Sequence, residues 1–249
     1  MKIISLGWGV QSTALAVMSA LGDLEKVDYV IHADTTHERT ATYEYAKTMT
    51  PWLEERGVKV VTVREDKGEL IDKWGGVIIP AYTETDSGGR INRQCTGSWK
   101  IKPLRRWLQK NRNGKPVEQW LGITLDEVQR MKPSNVKYIT HRWPLIEKKM
   151  SRWDCKLYLE SKGIEIPPRS ACVFCPFHSR SEWRDIRDNA PEDWKKAVQV
   201  DEQIRKARPP YDLFVNVQRV PLADADLDNE IDKGQLSLWE NECDGLCGI

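Results

Sequence analysis

The sequence predicts an α/β protein: a doubly wound parallel sheet followed by a C-terminal Cys-rich helical extension. Three observations carry that prediction. Strand-like and helix-like segments alternate through residues 2–63 with short connections, the pattern of a parallel sheet with helices on both faces. A glycine-flanked turn joins the first strand directly to the first helix. From residue 167 onward the composition shifts to Pro167-Pro168, a cysteine pair and Trp-bearing helices. The division expected is an α/β domain over 1–150 and an extension with a tail over 151–249, packed on it.

Residues 2–6 (KIISL) read as a buried strand and 11–21 as a helix. Residues 27–33 (VDYVIHA) form the second strand, ending at Asp34-Thr35-Thr36. Helical spacing of Tyr43, Ala46, Met49 and Leu53 covers 39–56, and Gly57 supplies the left-handed residue that closes a helix. Val58–Val63 is a β-branched third strand. The Gly-rich, polar stretch 64–94 is expected to be a long functional loop. Lys100–Gln109 reads as a helix with proline near its start, Val117–Gly122 as a fourth strand, and 126–130 as a short helix. Tyr138–Ile146 is extended and broken at Pro144, while Ser151 and Asp154 cap the next helix in near capping-box fashion. Two further helices are expected near 180–189 and 191–207, the second opened by Pro191-Glu192-Asp193. Residues 208–249 read as mostly irregular.

Folding a chain of 249 residues buries roughly 70–75% of its unfolded surface, so no disulfide staple is required. Lys+Arg 38 against Asp+Glu 37 leaves +1, which on bulk charge predicts no obligate polyanion partner. Locally, Lys100, Lys102, Arg105 and Arg106 form a basic cluster. The apolar run at 2–6 is too short for a signal peptide, and no window nears the ~18 apolar residues of a membrane span. A soluble cytoplasmic protein is expected. In that compartment thiols stay reduced, so the six cysteines call for another reading. Cys155 alone suits a small buried hydrophobe. Cys172-Val-Phe-Cys175-Pro instead offers two thiolates from one turn, as metal and Fe–S sites need. Cys95 and Cys155 are the candidates to complete it, with structural Zn²⁺ and [4Fe–4S] both compatible. His178 offers an imidazole in place of one thiolate, or is an ordinary surface histidine.

Gly7-Trp8-Gly9-Val10-Gln11-Ser12-Thr13 places small residues and hydroxyls between a strand and a helix N-terminus. Exposed backbone N–H groups and the positive helix end make such a turn an anion site; an ordinary βα turn is the plain alternative. It lacks the GK[ST] of a Walker A loop and the third glycine of G-x-G-x-x-G. Trp8 is either a stacking surface for a base or a hydrophobic plug. Asp126 and Glu127 follow a strand end, where carboxylates hold Mg²⁺ against phosphates or answer a helix dipole.

GWGVQSTAL resembles the PP-loop of the ATP pyrophosphatase and PAPS-reductase superfamily, in its sulfonucleotide-reductase form. Asp34-Thr35-Thr36-His37-Glu38, followed by Ala41-Thr42-Tyr43, is similar to that branch's motif after the second strand, while Arg93-Gln94-Cys95-Thr96, Lys100-Ile101-Lys102-Pro103, Gly122-Ile123-Thr124-Leu125-Asp126-Glu127 and Ser170-Ala171-Cys172-Val173-Phe174-Cys175-Pro176-Phe177 are similar to a PAPS-reductase-like group of phage and bacterial proteins. The resemblance implies an adenine nucleotide α-hydrolase-like fold. It implies that 7–13 hold the phosphates of ATP or PAPS, and that Asp34 and Thr36 lie near the adenosine. It favours Fe–S over Zn²⁺ at Cys95, Cys155, Cys172 and Cys175. The expected activity is adenylation of an acceptor with loss of pyrophosphate, assisted by Mg²⁺ and coupled to sulfur transfer. Lys100, Lys102 and Arg105 are the charge-clamp candidates, and Lys100, Arg105 and Asp126 the expected catalytic set. The partners implied are a small-molecule or nucleic-acid acceptor, a sulfur-donor protein and a second copy of the chain. The alternatives are a PAPS or APS reductase using a cysteine thiol, for which Cys243 and Cys247 are candidates, and a non-catalytic nucleotide-sensing or nucleic-acid-associated module.

Overall fold

Ile3 and Ile4 point to opposite sides of the first strand, β1 (Lys2–Leu6), and that alternation sets both faces of the sheet. The computed structural model describes residues 1–65, 69–71, 75–84, 89–91 and 93–228. After β1 come α1 (Val10–Leu21), β2 (Tyr29–Asp34), α2 (Thr40–Glu55) and β3 (Val60–Arg64). α1 stops at Gly22, whose φ of 83° is the left-handed conformation glycine tolerates. A two-residue strand, β4 (Tyr82–Thr83), lies inside the expected loop. Next follow a π-helical turn (Thr96–Ile101), α3 (Lys102–Asn111), β5 (Val117–Trp120), a 3-10 turn (Leu125–Arg130), β6 (Ile139–Arg142) and α4 (Pro144–Glu147). The chain continues through α5 (Arg152–Ser161), α6 (Arg180–Asn189), α7 (Pro191–Ile204) and β7 (Leu213–Phe214).

The five long strands form one parallel sheet in the order β3-β2-β1-β5-β6. The chain runs outward from β1 on one side, then returns to lay β5 and β6 on the other. The order therefore reverses between β1 and β5, where an open parallel sheet leaves a crevice at its carboxyl ends. One face carries Ile4 and Val30 against α1, α2 and α5, through Leu15, Met49, Cys155 and Leu159. The opposite face carries Ile3 and Ile31 against Leu104 and Leu108 of α3.

A third apolar cluster unites Ile79 and Trp99 with Val173, Phe174, Trp183 and Ile204. The packing thus does not divide at residue 150: α5 belongs to the sheet core, and residues from the expected loop join the helices after 170. β4 pairs antiparallel with β7, tying two stretches expected to be irregular. The extended reading of 138–146 ends at Arg142, because Pro144 opens a helical turn instead, with its fixed φ at the first positions. The caps of α5 hold as expected, with Ser151 and Asp154 in a full capping box. No helix among the described residues is long and apolar enough to cross a membrane.

Candidate active site

The turn after β1 lies in that crevice. Gly7, Gly9, Val10, Gln11 and Ser12 line a cleft that also takes in Leu121, Gly122 and Ile123 from the end of β5. The Gly7 N–H donates to Ser12 Oγ over 3.2 Å, and that hydroxyl donates to the Gly9 carbonyl over 3.2 Å. Trp8 turns the chain with φ 60°, a conformation that costs a non-glycine residue about 1–3 kcal/mol. Its side chain is 2% exposed and packs edge-on to Tyr45 at 6.3 Å. Burial of the indole offsets the backbone strain, so Trp8 is the plug and presents no ring to the cleft. Thr13 is also buried away from the cleft lining.

Gly122 completes the cradle. A Cβ there would stand 2.8 Å from the Ser12 nitrogen and 3.1 Å from Gln11 C, so only glycine lets the β5 turn approach the loop this closely.

The cleft is strongly cationic. Lys100, Arg105, Arg130, Arg152 and Arg169 all line it, and Glu127 is the one carboxylate among the described lining residues. Of the three charge-clamp candidates Lys100, Lys102 and Arg105, Lys102 is not among the lining residues. Lys100 rides on the π-helical turn, with Nζ 3.4 Å from Oε1 of Glu38, whose side chain is 1% exposed. π turns recur where a helix must aim a side chain at a site. Arg105 donates to Asn135 Oδ1 at 3.1 Å. Arg130 pairs with Glu127, which also accepts from Gln11 Nε2 at 3.4 Å. Arg169 pairs with Glu182 and donates to the Phe177 carbonyl at 3.1 Å. These carboxylate, amide and carbonyl partners fix the guanidinium groups of Arg105, Arg130 and Arg169 at the cleft wall.

Two expected site residues, Asp126 and Asp34, each accept one backbone N–H and one hydroxyl of their own surroundings. Asp126 Oδ2 accepts the Arg152 N–H at 2.6 Å and the Thr124 hydroxyl at 3.2 Å, and it is absent from the cleft lining. Its neighbour Glu127 faces the cleft in its place. Asp34 Oδ1 accepts the Thr36 N–H at 2.8 Å and the Tyr43 hydroxyl at 2.7 Å, an Asx-type turn. Thr36 is exposed, with φ 63°, and of this strand end it is Ala33 that reaches the cleft. Arg152, Arg169, Ser170 and Gln119 are lining residues that the sequence reading did not single out. A Cβ on Gly7 would lie 3.5 Å from Ser170 Oγ, so the segment before the cysteine pair closes directly over the loop.

The four expected thiols are not brought together. Cys155 is fully buried in the sheet core, whereas Cys95 and Cys172 pack against the third cluster. Cys175 closes a turn on the Cys172 carbonyl at 3.0 Å. Among the described residues, no three His, Cys, Asp or Glu side chains gather as a metal site would require. A cluster or Zn²⁺ held by Cys95, Cys155, Cys172 and Cys175 does not fit this arrangement. Cys172 Sγ lies 3.3 Å from Thr35 Oγ1, and burial, then the Glu38 carboxylate, pushes its thiol well up from the ordinary value. His178 donates from Nε2 to the Cys172 carbonyl at 3.0 Å, and burial lowers its pKa to about 4. It is a neutral brace for the cysteine turn. Cys243 and Cys247 lie outside the described residues.

Among solved structures, the chain is similar to phosphoadenylyl-sulfate (PAPS) reductase from Candida auris in a phosphate complex. The two are 13% identical, with 67% of this chain and 74% of that chain covered, at a TM-score of 0.47. No protein-family model matches the chain, and no curated protein matches it.

Proposed function

We propose that the chain is a nucleotide-dependent enzyme that holds ATP in this cleft and transfers its adenylyl group to an acceptor. The observation that supports the reading is the convergence of a glycine-bearing turn, a helix N-terminus and five cationic side chains on one crevice between β1 and β5. An acceptor oxygen attacks the α-phosphorus, the bond to the bridging oxygen breaks, and pyrophosphate leaves. Negative charge grows on the departing oxygens. Lys100, Arg105, Arg130, Arg152 and Arg169 neutralise it from fixed positions, so catalysis is positioning plus electrostatic stabilisation. The 7–13 turn approaches the phosphates with backbone, as its glycines permit. Glu127 offers the hard oxygen that Mg²⁺ takes alongside substrate phosphates, and a bound Mg²⁺ would add charge neutralisation there. No step is routed through an iron–sulfur cluster, since the four described thiols do not gather into one ligand set.

Thermal protection with measurement of released pyrophosphate tests this reading. ATP at a hundredfold excess over its Kd is expected to add about 2.7 kcal/mol of stability, raising Tm by roughly 5–10 °C. Arg130→Gln and Arg169→Gln are each expected to reduce that protection. Protection by PAPS with none by ATP would replace adenylation by sulfonucleotide reduction.

A further inference from the structure

A second groove adjoins the cleft, sharing Ile101, Arg105, Ser134 and His141 with it. Beyond that junction its cations are Lys102, Arg106 and Lys132, and its described lining contains no carboxylate. Lys102 and Arg106 are 62% and 42% exposed, so they face solvent and do not enclose a single small anion. Glu65 stands behind them, 3.5 Å from Lys102 Nζ and 3.0 Å from Arg106 Nη2, and takes up part of their charge. Arg105 is pinned at the junction by Asn135. Cations of this kind along an open channel suit a repeating backbone of phosphates. Such a polyanion releases counterions at each contact, whereas a lone phosphate needs a closed ring of donors.

We infer that this groove binds the phosphodiester backbone of a single-stranded nucleic acid, the acceptor whose terminal or unstacked nucleotide enters the cleft at Arg105 and His141. The inference rests on the cleft being a nucleotide site, and it names the acceptor class. A single strand is favoured over a duplex because the groove opens into the cleft past Arg105 of α3 and His141 of β6, so that a base must leave its stack to reach the reacting atoms.

Fluorescence anisotropy tests it, using the full chain and labelled single strands of RNA and DNA about 12 nucleotides long. With four phosphate contacts, affinity is expected to fall roughly 50-fold between about 50 and 200 mM salt. Arg106→Gln and Lys132→Gln are each expected to lower the slope of log K against log salt by about 0.7. Glu65→Gln is expected to tighten binding, a gain that misfolding does not mimic. An unchanged slope in both Gln variants, or no strand binding at low salt, overturns the inference. So does binding of inorganic phosphate and AMP that gains nothing from chain length, which would make the groove a small-anion subsite. ATP protection measured on the same proteins separates the two readings. Wild type that binds strands but is not protected by ATP would refute the adenylation reading and leave the groove assigned.

Discussion

The 7–13 turn and the segment 169–178 face each other across one cleft, yet they are held by different forces. The turn is anchored from beneath, by a β1 strand paired on both sides and by the buried Trp8 and α1. The cysteine-bearing segment adds a layer of polar braces: Arg169 to Glu182, the Arg39 N–H to the Ala171 carbonyl at 3.3 Å, and His178 to the Cys172 carbonyl. One wall of the site is a product of sheet geometry and apolar burial. The other depends on charges and protonation states as well. The two walls should therefore respond differently to core truncation and to pH.

The largest expected effect is on the anchored wall. Trp8→Ala removes a buried indole and is expected to cost about 3–5 kcal/mol of global stability by chemical denaturation; a loss near zero would mean that the turn does not depend on the core. Acid should act on the braced wall. His178 has its pKa lowered from 6.5 to about 4 by burial, with Glu182, Arg169 and Arg39 as the charges around it. A depressed histidine pKa means that its contribution is complete above about 6.5 and is lost as pH falls toward 4, about 2 kcal/mol by pH 5. Glu182, held below the ordinary carboxylate range by Arg169 despite its burial, loses its contribution at lower pH still. Melting of wild type and His178→Gln across this range checks it, and the variant's stability should fall less steeply between pH 7 and 5. The smallest effect sharpens the boundary between the walls. Gly122→Ala should weaken nucleotide binding at least about tenfold, some 1.4 kcal/mol, because its new methyl presses on the Ser12 nitrogen. Unaltered nucleotide affinity in a folded Gly122→Ala protein would show that the turn yields.

The difference also explains what could be read in advance. β1, α1, β2, α2 and β3 follow from local periodicity, and each lies within a few residues of its expected limits. β4 and β7 are two residues each, too short to carry any period. Lys100 and Arg105 were legible because they sit in one basic run. Arg152 and Arg169 were not, since only the β1–β5 reversal and the closure of the cysteine segment bring them to the same cleft. Asp34 and Asp126 do not line the cleft for one reason: short carboxylates after strand ends satisfy nearby N–H and hydroxyl groups before they reach outward. The spacing of the cysteines suggested one metal set, but Cys155 sits on an α5 face whose neighbours, Leu159 included, are sheet core. Gly122 carried a usable signal, a glycine just past the strand beside the loop, once the strand order is known.

The π-helical turn has a geometric consequence for the cleft and for the groove beside it. The Lys102 N–H reaches back five residues to the Gly97 carbonyl, and α3 continues from the same backbone. A residue added to a helical turn advances every later side chain by about 100° around the axis. The wide turn thus resets the clock face between Lys100 and the residues after it. Lys100 faces the cleft, Lys102 and Arg106 face the groove, and Arg105 lines both. One continuous rod thus presents basic side chains to the cleft and to the groove beside it, and its rigidity fixes the spacing between them.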